Sequence, residues 1–127
     1  MNISAAATAS GLPTKTVRYY ADIGLVEAAG RTDAGYRVYD ERAVRKLVFL
    51  RRAREFGFSI DDCRELLGLY EDAGRSSHDV KQIAKRRLED IREKQRELQH
   101  LHDGLAQLVD ACNGDQRPDC PIMSYLG

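Results

Sequence analysis

Two cysteines, Cys112 and Cys120, stand eight residues apart in "DACNGDQRPDCPI". Asn113 and Gly114 suit the end of a helix, "GDQRPD" turns the chain back, and Pro121 follows the second cysteine, so the loop can bring both sulfurs together. A disulfide, half of a zinc site, a redox switch and a pocket for a soft ion are all open to such a pair. Two thiolates are soft donors, and softness favours Cu(I)-type ions over Mg, Ca or Mn. A structural zinc site takes four ligands, and further donors are scarce. His100 and His102 lie two apart on a helix, point in different directions and read as surface. His78, just inside a helix start, can serve as a nitrogen donor or equally as surface. Cys63, in "SIDDCRELLGLY", reads as a small residue at or near a core face.

A chain of 127 residues bounds one modest folding unit with a separate dimerisation element, and leaves little room for a large internal active site. No Cys/His/Asx arrangement suited to nucleophilic catalysis is present, so an enzyme is not expected. The formal net charge is zero but unevenly placed. Residues 1–56 carry 10 Lys+Arg against 6 Asp+Glu, a net +4, and residues 57–127 carry 10 against 14, a net −4. A basic head and an acidic rear imply that the head meets a polyanion. No apolar run approaches the ~18 residues that span a bilayer, and "MNISAAATASGL" lacks the charged front and longer apolar centre of a secretory signal. The expected place is the cytoplasm, with no membrane partner, where a lasting Cys112–Cys120 disulfide is disfavoured.

The elements that would position these residues follow from caps and periodicity. Ser4 is the expected cap of a short helix over "AAATA" ended by Gly11, and Thr14 the expected cap of a second, "TKTVRYYADIG", ended by Gly24. Two short helices across a tight turn make a helix-turn-helix. The second exposes Lys15 and Arg18 on one side and turns Val17 and Tyr20 inward, which suits a major groove. Beyond the turn signal "DAG", Tyr36 and Val38 sort to one face and Arg37 and Tyr39 to the other, a small hairpin or wing. Arg31, Tyr36 and Arg37 would form a second patch suited to sugar-phosphate contact. Asp40 then caps a helix with Val44, Leu47, Val48 and Leu50 toward a core, and Gly57 stops it. Ser59 with Asp62 opens another through Leu66, Leu67 and Tyr70 as a capping box. Arg51, Arg52 and Arg54 can reach phosphate from the third helix.

From Ser77 to Cys112 there is no proline and one glycine, Gly104, so a single long helix is expected. Sevens counted from Ser77 give Ala84, Ile91, Leu98, Leu105 and Cys112, with Val80, Arg87, Lys94, Leu101 and Leu108 as the companion set: a heptad seam with a polar middle. Lys85 with Glu89, Arg86 with Asp90 and Asp90 with Lys94 support the helix surface. Such a stripe needs a neighbour, and a second copy of the helix supplies one.

The run "GLPTKTVRYYADIGLV", then "GYRVY", then "LVFLRRAREFGFSIDD" resembles the MerR family of bacterial transcription regulators, and the resemblance continues to the end of the chain. It implies a mainly α fold: a winged helix-turn-helix DNA-binding domain over 1–70, a long antiparallel coiled-coil dimerisation helix over 77–112, and a metal-binding loop with a short C-terminal segment over 112–127. By the same resemblance Thr14, Lys15, Arg18 and Tyr19 from the recognition helix, and Tyr36 and Arg37 from the wing, contact double-stranded promoter DNA. Pro13 departs from the pattern but suits a helix start.

Within one chain Ser77 and Cys112 stand 35 residues apart on the helix, about 52 Å at ~1.5 Å per residue. Antiparallel pairing, which the resemblance implies, brings the partner subunit's Ser77 beside Cys112. The unpaired N–H groups of that helix start would offset the negative charge of two thiolates around a single +1 ion. Cys112-x7-Cys120 followed by Pro-Ile, with serine at 77, looks like the copper-efflux (CueR-like) branch of the family, whose divalent-metal relatives commonly have cysteine at the position matching Ser77. The resemblance thus implies a homodimeric activator of metal-efflux and detoxification genes. Cu(I), Ag(I) or Au(I) would be held by Cys112 and Cys120, and distortion of the promoter DNA would let RNA polymerase engage. A zinc or other divalent-metal sensor on the same fold and a thiol-redox regulator are the alternatives.

Overall fold

The computed structural model describes all of residues 1–127. Its elements are α1 (Ile3–Ser10), α2 (Thr14–Asp22), β1 (Gly30–Arg31), β2 (Arg37–Val38), α3 (Glu41–Glu55), α4 (Ile60–Glu71), α5 (Ser77–Ala111) and α6 (Pro121–Leu126). The chain divides into two compact units, Met1–Ala84 and Lys85–Gly127. No helix is long and apolar enough to cross a membrane.

The first unit is built on α1 to α4. Asn2, and not Ser4, caps α1: its Oδ1 accepts the Ala5 N–H at 2.8 Å, so Ser4 falls inside the first turn. Gly11 ends that helix at φ +76°, where a Cβ would also press on the Arg51 side chain. Arg51 Nε donates to the Ser10 carbonyl at 3.0 Å, which ties α3 to the turn. In α2, Thr14 is the first helical residue and Pro13 stands in the cap position without a side-chain bond. The Pro13 carbonyl instead accepts from the N–H groups of Thr16 and Val17.

Ala6 and Ala7 of α1, Val17 and Tyr20 of α2, Leu47 and Leu50 of α3, and Cys63 and Leu67 of α4 meet in one core with Leu25, Val26 and Tyr39. Two alanines in sequence let α1 lie close against its neighbours, and each fully buried leucine contributes about 2 kcal/mol. Val44 and Val48 are only half-buried. Val44 and Phe49 still pack against this core, and with Val48 they line an apolar groove beside it, where the Phe49 ring stacks on Tyr70 at 4.6 Å. Asp40 and Ser59 cap α3 and α4 as their sequence positions imply, accepting the N–H groups of Ala43 (2.8 Å) and Asp62 (3.0 Å).

The wing is an antiparallel pair with Gly30 opposite Val38 and Arg31 opposite Arg37. Gly35, at φ +89°, makes the turn that an L side chain would strain. Regular pairing stops at Val38 because Tyr39 turns into the core and exchanges backbone bonds with Met1 instead.

The expected long helix is present as α5. Leu98, Leu101, Leu105 and Val109 are exposed along it. Ile83, which lies in neither heptad set, is the buried residue of α5. Glu89 draws Arg92 and Arg96, and Lys94 draws Glu97; long side chains on an exposed face choose among several neighbours of similar small worth. The last element, α6, was not expected. Its signal is Pro121 in the first turn, where a missing N–H costs nothing.

Candidate nucleic-acid interface and two-thiol loop

Helical periodicity sorts α2 as the sequence implies. Val17 and Tyr20 are buried, while Lys15, Arg18 and Tyr19 are exposed. Arg18 shares one open cleft with Arg31, Tyr36 and Arg37 of the wing, and with Asn2 and Ser4 of the α1 start. The structure thus brings helix and wing residues onto one surface. Thr14, half-buried, and Lys15 stand at the N-terminal end of α2.

Two of these arginines are already engaged. Arg31 Nη1 donates to the Gly35 carbonyl at 2.8 Å, bracing the hairpin turn. Arg37 Nη2 donates to Asp22 Oδ1 at 2.7 Å, and this bond holds the guanidinium even more firmly protonated than usual. Arg54 lies apart from the cleft: its Nη1 donates to the Phe58 carbonyl at 2.6 Å, across the α3–α4 turn. Burial raises the pKa of the Tyr20 phenol, and the nearby Arg54 charge partly offsets that. Sequence reasoning passed over Asn2 and Ser4 as cleft residues, since both look only like helix-start chemistry. It also passed over Arg64, which reaches from α4 to the carbonyls of Ile23 (3.2 Å) and Gly24 (3.4 Å).

In the second unit, α5 ends at Ala111, and Gly114, at φ +64°, starts the return of the chain. Asp115 staples the loop by accepting from the Arg117 backbone N–H at 2.9 Å and from its guanidinium at 2.8 and 3.0 Å. Cys112 and Cys120 arrive with their sulfurs 3.2 Å apart, both free and half-buried. That is well beyond the ~2.05 Å of a disulfide.

Cys120 stands at the cap of α6. The Met123 N–H, then the Cys112 thiol, then the Ile122 N–H bring its thiol below the ordinary range, with burial opposing. Pro121 has no N–H, so the first free donors of the helix are those of Ile122 and Met123, which lie on the side of the sulfur without making a capping bond to it. No group of three or more His, Cys, Asp or Glu residues forms a cation cage. His102 faces Asp103 at 3.0 Å, and His100 lines a groove between α5 and α6. Cys63 is core, its thiol pushed up by burial. A donor set of two sulfurs, with backbone N–H groups drawing one toward thiolate, fits a soft cation and offers little to a hard one.

Residues 1–69 match the family model described as "MerR HTH family regulatory protein", and residues 44–108 match that described as "MerR, DNA binding". The chain belongs to the MerR family. It is therefore a DNA-binding transcription regulator and not an enzyme. Among curated MerR relatives, the HTH-type transcriptional regulator HmrR of Rhizobium leguminosarum bv. viciae is 52% identical, with 99% of this chain and 97% of that protein covered. The HTH-type transcriptional regulator CueR of Salmonella typhimurium is 43% identical, covering 99% and 91%. Among solved structures, the transcription regulator PbrR691 from Ralstonia metallidurans CH34, in complex with lead(II), superposes with a TM-score of 0.86 at 28% identity, covering 100% and 99%. MerR membership accounts for the helix-turn-helix and the long helix together.

Proposed function

We propose that this protein is a cytoplasmic, metal-responsive MerR regulator that answers to Cu(I), and to the similarly soft Ag(I) and Au(I), by activating metal-efflux and detoxification genes. The observation that carries this reading is the pair of free sulfurs 3.2 Å apart with no third donor beside them. Cys112 and Cys120 are the ligands. The relatedness to CueR and HmrR supports the same branch of the family.

The exposed apolar edge of α5 pairs antiparallel with its copy in a homodimer, and the partner subunit's Ser77 closes the pocket. Lys15, Arg18 and Tyr19, with Thr14 at the helix start, enter the major groove; Arg31, Tyr36 and Arg37 follow the sugar-phosphate path from the wing. Arg54, with one nitrogen used on Phe58, has further N–H groups for phosphate. The bound ion favours one dimer shape over another, and that difference distorts the promoter so that RNA polymerase engages it.

Run-off transcription from a promoter carrying a duplex selected by the protein from a random-sequence pool tests the metal. Buffered Cu(I) is expected to activate and Zn(II) to leave the basal level. Activation by Zn(II) but not Cu(I) would overturn the assignment, and so would activation by peroxide in metal-depleted solution.

A further inference from the structure

Asp22 closes α2 and places a negative charge beside a surface that is to meet a polyanion. Counted as charge alone, its removal should strengthen DNA binding, because one repulsive group is lost. The structure gives the carboxylate different work. Its Oδ1 receives Arg37 Nη2 at 2.7 Å and so joins the end of α2 to β2. The wing needs such a joint: with strands of two residues each, its own ladder is too short to fix its attitude.

The surroundings match a clamp. The Arg37 side chain is 24% exposed against 54% for Asp22, so the arginine is the sheltered member. The buried Tyr39 hydroxyl has no partner of hydrogen-bonding geometry, and it lies close enough to interact with the Arg37 guanidinium. On the other side, Arg64 holds the carbonyls just beyond the α2 end, so the helix terminus is anchored to both α4 and the wing.

We propose that Asp22 is a positioning residue of the DNA-reading surface, which through Arg37 sets the wing against α2 so that Arg18 and the wing residues Arg31 and Tyr36 meet one duplex together. This rests on the reading of α2 and the wing as the DNA-contacting elements. Arg37 then acts first as the wing's anchor, and its contact with phosphate is secondary.

The test is the affinity of the full-length protein for the pool-selected duplex, by fluorescence anisotropy, with melting curves to confirm folding. Asp22→Ala is expected to weaken binding about fivefold, the upper range for one exposed ion pair. Adding it to Arg37→Ala should cost nothing more, since one clamp cannot be broken twice. The D22R change should strengthen binding more in the R37D background, where it rebuilds the pair, than in the wild type, where it breaks it; added positive charge alone would act equally in both. Equal or tighter binding by Asp22→Ala, additive losses, or an equal effect of D22R in both backgrounds would overturn the proposal. Arg18→Ala separates the two levels: it should weaken binding whatever Asp22 does, and an unaffected Arg18→Ala would remove the reading of the surface itself, and this proposal with it.

Discussion

Cys112→Ser is expected to abolish the metal response and leave the duplex bound. Serine replaces one of two soft donors with a hard, neutral hydroxyl, and the site has no third donor to compensate. A full set of four ligands is worth roughly 10–16 kcal/mol to a structural zinc, so the loss of one thiolate is on the order of 4 kcal/mol, about a thousandfold in affinity. The fold has little reason to respond. Cys112 follows the last residue of α5, is half-buried, and is nearly isosteric with serine. Competition against a Cu(I) chelator and anisotropy on the selected duplex read the two functions separately. Simultaneous loss of DNA binding would make the loop a structural element.

Leu98→Glu is expected to convert the proposed homodimer to monomer. Leu98 is 66% exposed in the single chain and lies outside the groove that α6 forms with Leu101, Leu105 and their neighbours, so its substitution leaves the second unit's own packing alone. In an antiparallel pair two copies of the leucine are buried per dimer. Removing both costs roughly 3 kcal/mol, about a hundredfold in dimer Kd, before the penalty for burying a carboxylate is added. Sedimentation velocity at micromolar concentration reads the change. A variant that sediments as the wild type would place the interface away from this seam, and the partner subunit's Ser77 could then not complete the pocket.

Legibility in the sequence followed the range of the forces involved. Asp40 and Ser59 were readable because a cap acts within three residues, and α5 because a proline-free run announces itself. The gathering of Cys112 and Cys120 was readable because turn-forming residues span the short interval between them. Local ambiguity caused the smaller departures. Asn2 and Ser4 both cap well, and the choice fell to Asn2, whose Oδ1 reaches the Ala5 N–H. The α6 helix is six residues long, too short for periodicity to show, and only Pro121 signals it. Nonlocal pairing stayed hidden: nothing in the spacing of Asp22 and Arg37, or of Arg64 and Gly24, reveals that tertiary packing joins them. Ile83 belongs with these, since a heptad count looks for a partner helix and this side chain is buried in the first compact unit instead.

On the proposed reading two sulfurs, and nothing else from the chain, hold one soft +1 ion. X-ray absorption at the copper edge, on protein loaded with one Cu(I) per Cys112–Cys120 pair, measures this directly. A shell of two sulfur neighbours is expected. A four-coordinate shell, or one containing imidazole nitrogen, would contradict it.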